Sequence, residues 1–197
     1  MGYTGESMSL YEEIRSRVRN NMKESRFIHS EGVAEMASYL SGRFLSDPEK
    51  GRIAGIFHDY CRYMDDEALL SVCSGLDDIV PEEREKPMLL HGAAAGLAFR
   101  ELYPTFGKEY YLAMRHHTLG SIHMGKLGAC VYIADYAEKG RKHLDDADRR
   151  RILSHSTLEE MVLDILYRER EYRNSLGERM AGVSAELLEF LEKGGRL

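Results

Sequence analysis

The chain of 197 residues has no tryptophan, four prolines and three cysteines. An odd cysteine count with no C-x-x-C among Cys61, Cys73 and Cys130 argues against a disulfide framework, a zinc ribbon or a thioredoxin-like motif. A reducing compartment fits best. No apolar run approaches the roughly 20 residues needed to cross a bilayer, and the N-terminus lacks the charged segment and apolar stretch of a secretory signal. Gly2 makes no lipid anchor, because Glu6 stands where a myristoylation motif wants Ser or Thr. The expectation is a cytoplasmic protein without a membrane partner. Long single-sign charge blocks are also missing, and the net charge is -6. Without a basic stripe to neutralise phosphates, a general nucleic-acid surface is not expected. A small anionic ligand stays compatible if local cations offset that charge.

What is present is an ordinary globular composition, 43% hydrophobic and 30% charged, long enough for one substantial core. Residues 1–8 read as a flexible N-terminus and 9–197 as one helical domain. Ser9 with Glu12 forms a capping-box signal ahead of Leu10, Ile14 and Val18, which share one helical face. From Arg26 onward, His29, Val33, Met36, Ala37 and Leu40 keep helical spacing, which puts His29 on an inward face. Asp47-Pro48 supplies a cap and a first-turn proline for a helix ending at His58-Asp59. A short helix follows over Met64 to Cys73, then a surface connection over Gly75 to Pro87. Further helices are expected over Leu89 to Tyr103, Lys108 to His117 and Lys126 to Glu138. The small residues Gly92 to Gly96 permit close helix packing. Thr157 and Glu160 form a second capping box before a helix running to Asn174, and Ser184 is expected to cap a last one. No strand alternation or internal repeat is visible, so the expected fold is an all-α compact bundle.

The chemistry lies in the histidines and aspartates. His58-Asp59 closes the apolar run Ile53 to Phe57, with His29 upstream and His91, His117 and Asp135 downstream. Neutral imidazole and ionised carboxylate both suit first-row divalent metals, which points to metal-assisted hydrolysis. Each residue also has a plainer reading. His29 could be a buried histidine satisfied by a carbonyl, His58-Asp59 a helix-end pair, His91 a cap and Asp135 the partner of an arginine. Tyr132 and Tyr136 could stack on adenine or simply pack, and Arg168-Glu169-Arg170-Glu171 reads as a solvated helix face with local ion pairs.

The ordered segments R-F-I-H-S-E-G-V-A, A-G-I-F-H-D-Y-C-R, L-L-H-G, R-H-H-T-L-G and Y-I-A-D-Y-A-E-K-G-R settle that choice by resemblance. Over about Arg26 to Arg141 the chain resembles the HD-domain metal-dependent phosphohydrolases. It is most similar to their YqeK branch, whose members are symmetrical bis(5'-nucleosyl)-tetraphosphatases. The helices over about 157–194 match only as helices. The resemblance implies an HD-type helical bundle that cleaves diadenosine tetraphosphate to two ADP through a metal-activated hydroxide. It implies two divalent ions, with iron or manganese favoured. His29, His58, Asp59 and Asp135 would hold one, and His91, His117 and a bridging Asp59 the other. It gives catalytic roles to Asp59, Arg62 and Thr118, and substrate-binding roles to Arg26, Arg115, Thr118 and Arg141, with Lys126 a further cation. The small-molecule partner would be a nucleotide, and a homodimer is a family-level expectation. The chain departs from the family pattern at Arg62, where many relatives have Lys, at Lys139, where they have Pro, and at His116, where they often have Tyr. Alternatives are a nucleotide phosphatase or phosphodiesterase with the same metal chemistry, and a nucleotide-binding module without turnover.

Overall fold

A computed structural model describes residues 9–197; the expected flexible segment 1–8 lies outside them. The described residues form eleven α-helices and no strand: α1 (Leu10–Asn20), α2 (Glu24–Leu45), α3 (Pro48–Phe57), α4 (Asp66–Cys73), α5 (Pro81–Glu85), α6 (His91–Leu102), α7 (Lys108–Arg115), α8 (Gly125–Ala137), α9 (Asp146–Ser154), α10 (Leu158–Ser175) and α11 (Gly182–Glu192). A 3-10 turn over Pro87–Leu90 leads into α6. None of these helices is long and apolar enough to cross a membrane.

The helix starts follow local chemistry. Ser9, Asp47 and Thr157 accept main-chain N–H groups at the first turns of α1, α3 and α10, and Glu160 closes the Thr157 box. Each bond satisfies a donor that the helix itself leaves unpaired. Ser184 behaves otherwise: α11 begins earlier, after Ala181, and the Ser184 hydroxyl donates to the Leu119 carbonyl at 2.7 Å. It ties α11 to the loop after α7. Between Gly75 and Pro87 the chain also forms α5, anchored by the buried Glu83.

The long α2 lies along α3 and α8. Close approach on the α3 side depends on Gly55, where a Cβ would come within 2.8 Å of the Ala34 backbone. Phe27, Val33, Ala37 and Leu40 of α2 and Ile53, Ile56 and Phe57 of α3 are buried. Each of the larger side chains among them contributes roughly 1.5–3 kcal/mol by leaving water. Helix α8 is buried almost all round, from Leu127 to Ala134, as expected for a helix without a polar face. Asp135 sits near its C-terminal end, against that apolar wall.

Candidate metal centre

Three of the four central histidines are held by the same device. His58 Nδ1 lies 2.7 Å from the Gly55 carbonyl, His91 Nδ1 2.7 Å from that of Met88, and His117 Nδ1 2.8 Å from that of Met114. In each case the acceptor is three residues earlier, at the end of α3, the 3-10 turn or α7. Carbonyls near helix ends have spare acceptor capacity, so the imidazole N–H bonds to one and fixes its own tautomer. The proton is then on Nδ1, and in the neutral ring Nε2 presents a lone pair. His29 reaches the same state through a side chain: its Nδ1 donates to Glu138 Oε1 at 3.1 Å.

These four Nε2 atoms converge on two carboxylates. Asp59 Oδ1 is 2.9 Å from His91 Nε2 and 3.7 Å from His117 Nε2, while Oδ2 is 3.3 Å from His58 and 3.8 Å from His29. Asp135 Oδ1 lies 3.0 Å from His29 Nε2 and 3.7 Å from His58 Nε2. His91 and His117 bring their Nε2 atoms within 3.1 Å of each other. Both Nδ1 protons are already engaged, so when both rings are neutral this approach sets lone pair against lone pair. The buried Nε2 atoms of His29 and His58 have no hydrogen-bond partner among the described residues. Buried acceptors turned toward one another are costly unless a cation lies between them. The donor set fits divalent metal: His29, His58 and Asp59; His58, His117 and Asp135; and Asp59, His91 and His117 each bring ligand atoms within 4.8 Å of one another.

The carboxylates act back on the metal-free cluster: against the effect of burial, Asp59 and Asp135 raise the His58 imidazolium above its ordinary value. Burial pushes the His117 imidazolium pKa down to about 3, helped by the neighbouring His58 and His91, so the ring is neutral. Burial alone would raise both carboxyls, but His58 and His91 hold Asp59 well below the usual range, and His29, His58 and Arg141 lower Asp135. Both carboxylates are ionised near neutral pH.

The other expected residues divide. Arg26 Nη1 donates to Asp59 Oδ2 at 2.9 Å. Arg141 holds Asp135 by Nη2 on the carboxylate and Nε on the carbonyl. Arg62 lies beside His91, 3.4 Å from an Nδ1 that already donates to Met88, so its guanidinium has no acceptor among the described residues. Thr118 follows His117 and lines the cavities next to it. Arg115 is placed differently from the expectation that it meets substrate. It is 4% exposed, and its guanidinium is engaged by both Glu83 oxygens, the Asp78 carboxylate and the Asp78 carbonyl. A buried carboxylate must be paired, and Arg115 pairs Glu83, locking α5 against the end of α7. Lys126 faces a separate cavity with Phe44, Thr157 and Arg196.

Two positioning groups were missed. Glu138 is 4% exposed and orients His29, with room made by Gly32, where a Cβ would come within 2.8 Å of the Glu138 carboxylate. The signal was available: Gly32 is three residues after His29, and Glu138 three after Asp135. Arg149, on a helix the apolar pattern does not reveal, donates Nε to the Ala137 carbonyl at 2.8 Å and Nη2 to those of Arg141 and Leu144 at 3.2 Å. It staples the loop carrying Glu138 and Arg141.

An all-α scaffold in which helix ends converge histidines and aspartates on one point is the architecture of an HD domain, and residues 26–140 match the HD domain family model. The chain belongs to that family. Among curated relatives, it is 30% identical over 130 residues to the symmetrical bis(5'-nucleosyl)-tetraphosphatase of Bacillus subtilis, covering 66% of this chain and 70% of that protein. It is 29% identical over 133 residues to the Staphylococcus aureus protein of the same name, covering 66% and 67%. Its fold matches the crystal structure of a predicted HD superfamily hydrolase involved in NAD metabolism from Clostridium acetobutylicum, with a TM-score of 0.83 and 28% identity, over 95% of this chain and all of the other.

Proposed function

We propose that this protein hydrolyses diadenosine tetraphosphate, or a related dinucleoside tetraphosphate, at its centre to give two nucleoside diphosphates. The observation that carries the reading is the convergence of four histidine Nε2 atoms on Asp59 and Asp135, in a chain whose relatives bear that activity in their names. His29, His58, Asp59 and Asp135 would hold one divalent ion, and His91, His117 and Asp59 a second, with iron or manganese favoured by family resemblance. Ions held there supply Lewis acidity toward phosphate oxygens and lower the pKa of water at the site.

The residues of the chain do the remaining work. Asp59 turns one oxygen to each half of the cluster, so it fixes the spacing of the two halves. Arg26 keeps Nε and Nη2 available beyond its bond to Asp59, and Arg141 keeps Nη1 beyond its two bonds to Asp135. These donors suit the non-bridging oxygens of a tetra-anionic chain, where charge-assisted contacts gain strength as charge builds up. Arg62 supplies a permanent cation beside the His91 half; with no accessible neutral form it stabilises charge and does not relay protons. Thr118 offers a neutral donor. In the net reaction water oxygen bonds to one central phosphorus, the bridging P–O bond breaks, and the bridging oxygen leaves on the second ADP.

The test is product analysis with metal-loaded protein and diadenosine tetraphosphate. Two ADP per substrate is expected; AMP with ATP would overturn the symmetrical reading. Folded His58→Ala and Asp59→Ala proteins that keep both metal and full activity would overturn the site.

A further inference from the structure

A cavity of about 680 Å³ runs from His117 and Asp135 in the metal cluster to the exposed side of α10. Its far wall is built by Arg168, Glu169, Tyr172 and Arg173 of α10, beyond the segment that matches the HD family model. The volume is in the range of small-molecule sites. Tyr132 and Tyr136 of α8 and Tyr172 of α10 line it, and His143 meets Tyr136 edge-on at 4.8 Å. Aromatic walls of this kind suit a flat heterocycle.

The polar groups of this cavity are not equivalent. Arg168 is engaged by Asp148 and Asp164, Arg173 by Glu178, and Arg141 by Asp135. Glu171 is exposed to water. Glu169 is half-buried, yet its carboxyl makes no hydrogen bond or ion pair among the described residues, although arginines flank it on both sides in sequence. A carboxyl withheld from nearby cations and facing an aromatic cavity is available to a ligand that brings its own N–H donor. Resting on the reading of the site given above, we propose that this cavity is a base subsite for one end of the substrate, in which Glu169 accepts the 6-amino group of adenine. The phosphates then extend past Thr118 to the metal cluster. Burial raises the Glu169 carboxyl above its ordinary value against the nearby Arg173 charge, and a carboxyl oxygen facing the cavity accepts from the 6-amino N–H. The Tyr132 hydroxyl, which likewise makes no hydrogen bond among the described residues, lies in the same cavity and is a second handle for the base.

The test deletes the amine from the ligand and the carboxyl from the protein. Binding of ADP and of purine riboside 5'-diphosphate, which lacks the 6-amino group, is measured by calorimetry on metal-loaded wild type, Glu169→Ala and Glu169→Gln. Wild type is expected to prefer ADP by about tenfold, the order of one well-made hydrogen bond. Glu169→Ala should bind the two ligands alike, and Glu169→Gln, which keeps an acceptor, should retain most of the preference. Equal binding by wild type, or an undiminished preference in folded Glu169→Ala, overturns the base subsite. The readout is independent of turnover. Two ADP released from diadenosine tetraphosphate while Glu169→Ala keeps its discrimination removes the subsite and leaves the function, and discrimination without any cleavage does the reverse.

Discussion

His58, His91 and His117 are each fixed by a main-chain carbonyl three residues back, whereas His29 is fixed by the carboxylate of Glu138 from the far end of another helix. The difference separates two ways of orienting an imidazole. A backbone carbonyl exists wherever the helix ends, so those three imidazoles are oriented by the fold itself. The orientation of His29 rests on a side chain, which in turn rests on Gly32 leaving room for it and on the loop held by Arg149. The His29 side of the cluster is therefore the side that single substitutions can loosen without disturbing the other.

Asp59 belongs to both sides, so removing it should erase the contrast. Asp59→Ala is expected to lose both ions and to reduce turnover by well over the ~100-fold that follows loss of a group outside the ligand set. Metal analysis beside a product assay checks this; retention of a full complement of metal would show that Asp59 bridges nothing. Next in size is the support beneath His117. Arg115→Ala leaves Glu83 ionised and buried, and breaking such a pair costs about 3–5 kcal/mol. Denaturant unfolding should show that loss, and Arg115→Met combined with Glu83→Leu should restore much of it, because no uncompensated charge is left behind. A loss in the single variant no larger than that of an exposed pair would mean that the Glu83–Arg115 contact contributes little to holding α7.

Much of the scaffold beneath this contrast can be read in the sequence, the supports of the individual histidines largely cannot, and the gaps have physical causes. The proposed ligand residues sit at the ends of strongly apolar segments such as Ile53 to Phe57, where periodicity marks the helix and its end marks the proposed site. Asp47 and Thr157 announce their helices through capping chemistry that acts over three residues. Helix α9 is different: Arg149, Arg150 and Arg151 dominate it, and Ile152 is its one buried apolar side chain, so no apolar stripe distinguishes it from a loop. Ser184 has the right residue type for a cap but bonds to the distant Leu119 carbonyl, a choice set by tertiary packing. Arg115 lies in the motif-rich segment R-H-H-T, yet its engagement by Glu83 and Asp78 depends on where α5 folds back. Glu169 shows the reverse case. Its neighbours Arg168 and Arg170 do form ion pairs on the helix face, while Glu169 itself turns to a cavity that only the packing of α10 on α8 creates.

Glu138→Gln sharpens the comparison further. The amide keeps the shape but makes a weaker acceptor for the His29 N–H, and loss of such an orienting group lowers metal affinity by about 10–100-fold. The decrease should fall on the ion proposed at His29, so that a titration with a chelator releases one ion early and the second at the wild-type concentration. Both ions leaving together would show that the two sides are coupled and that the distinction between backbone and side-chain support does not govern affinity. Arg149→Ala should act in the same direction through the loop, and Arg149→Lys should rescue it poorly, since a single ammonium cannot reproduce the guanidinium's spread of contacts to carbonyls.

The smallest effect concerns acid. His116 is half-buried beside the backbone-held His117, and burial together with the adjacent Arg115 charge lowers its pKa to about 4 from 6.5. Between those values the unfolded chain takes up a proton that the folded chain refuses, so stability falls as pH drops from 6.5 toward 4 and levels off below it. Above 6.5 the ring is neutral in both states and contributes no slope. In metal-free protein, the thermal midpoint of His116→Asn should therefore decline less steeply than wild type through this window, by a few degrees at most, while the two profiles run parallel at higher pH. His117 titrates in both proteins, so the difference isolates His116. Equal slopes would mean that the imidazole finds water or a counter-charge on protonation, and that the backbone-held side of the cluster is no more sensitive to acid than the rest of the bundle.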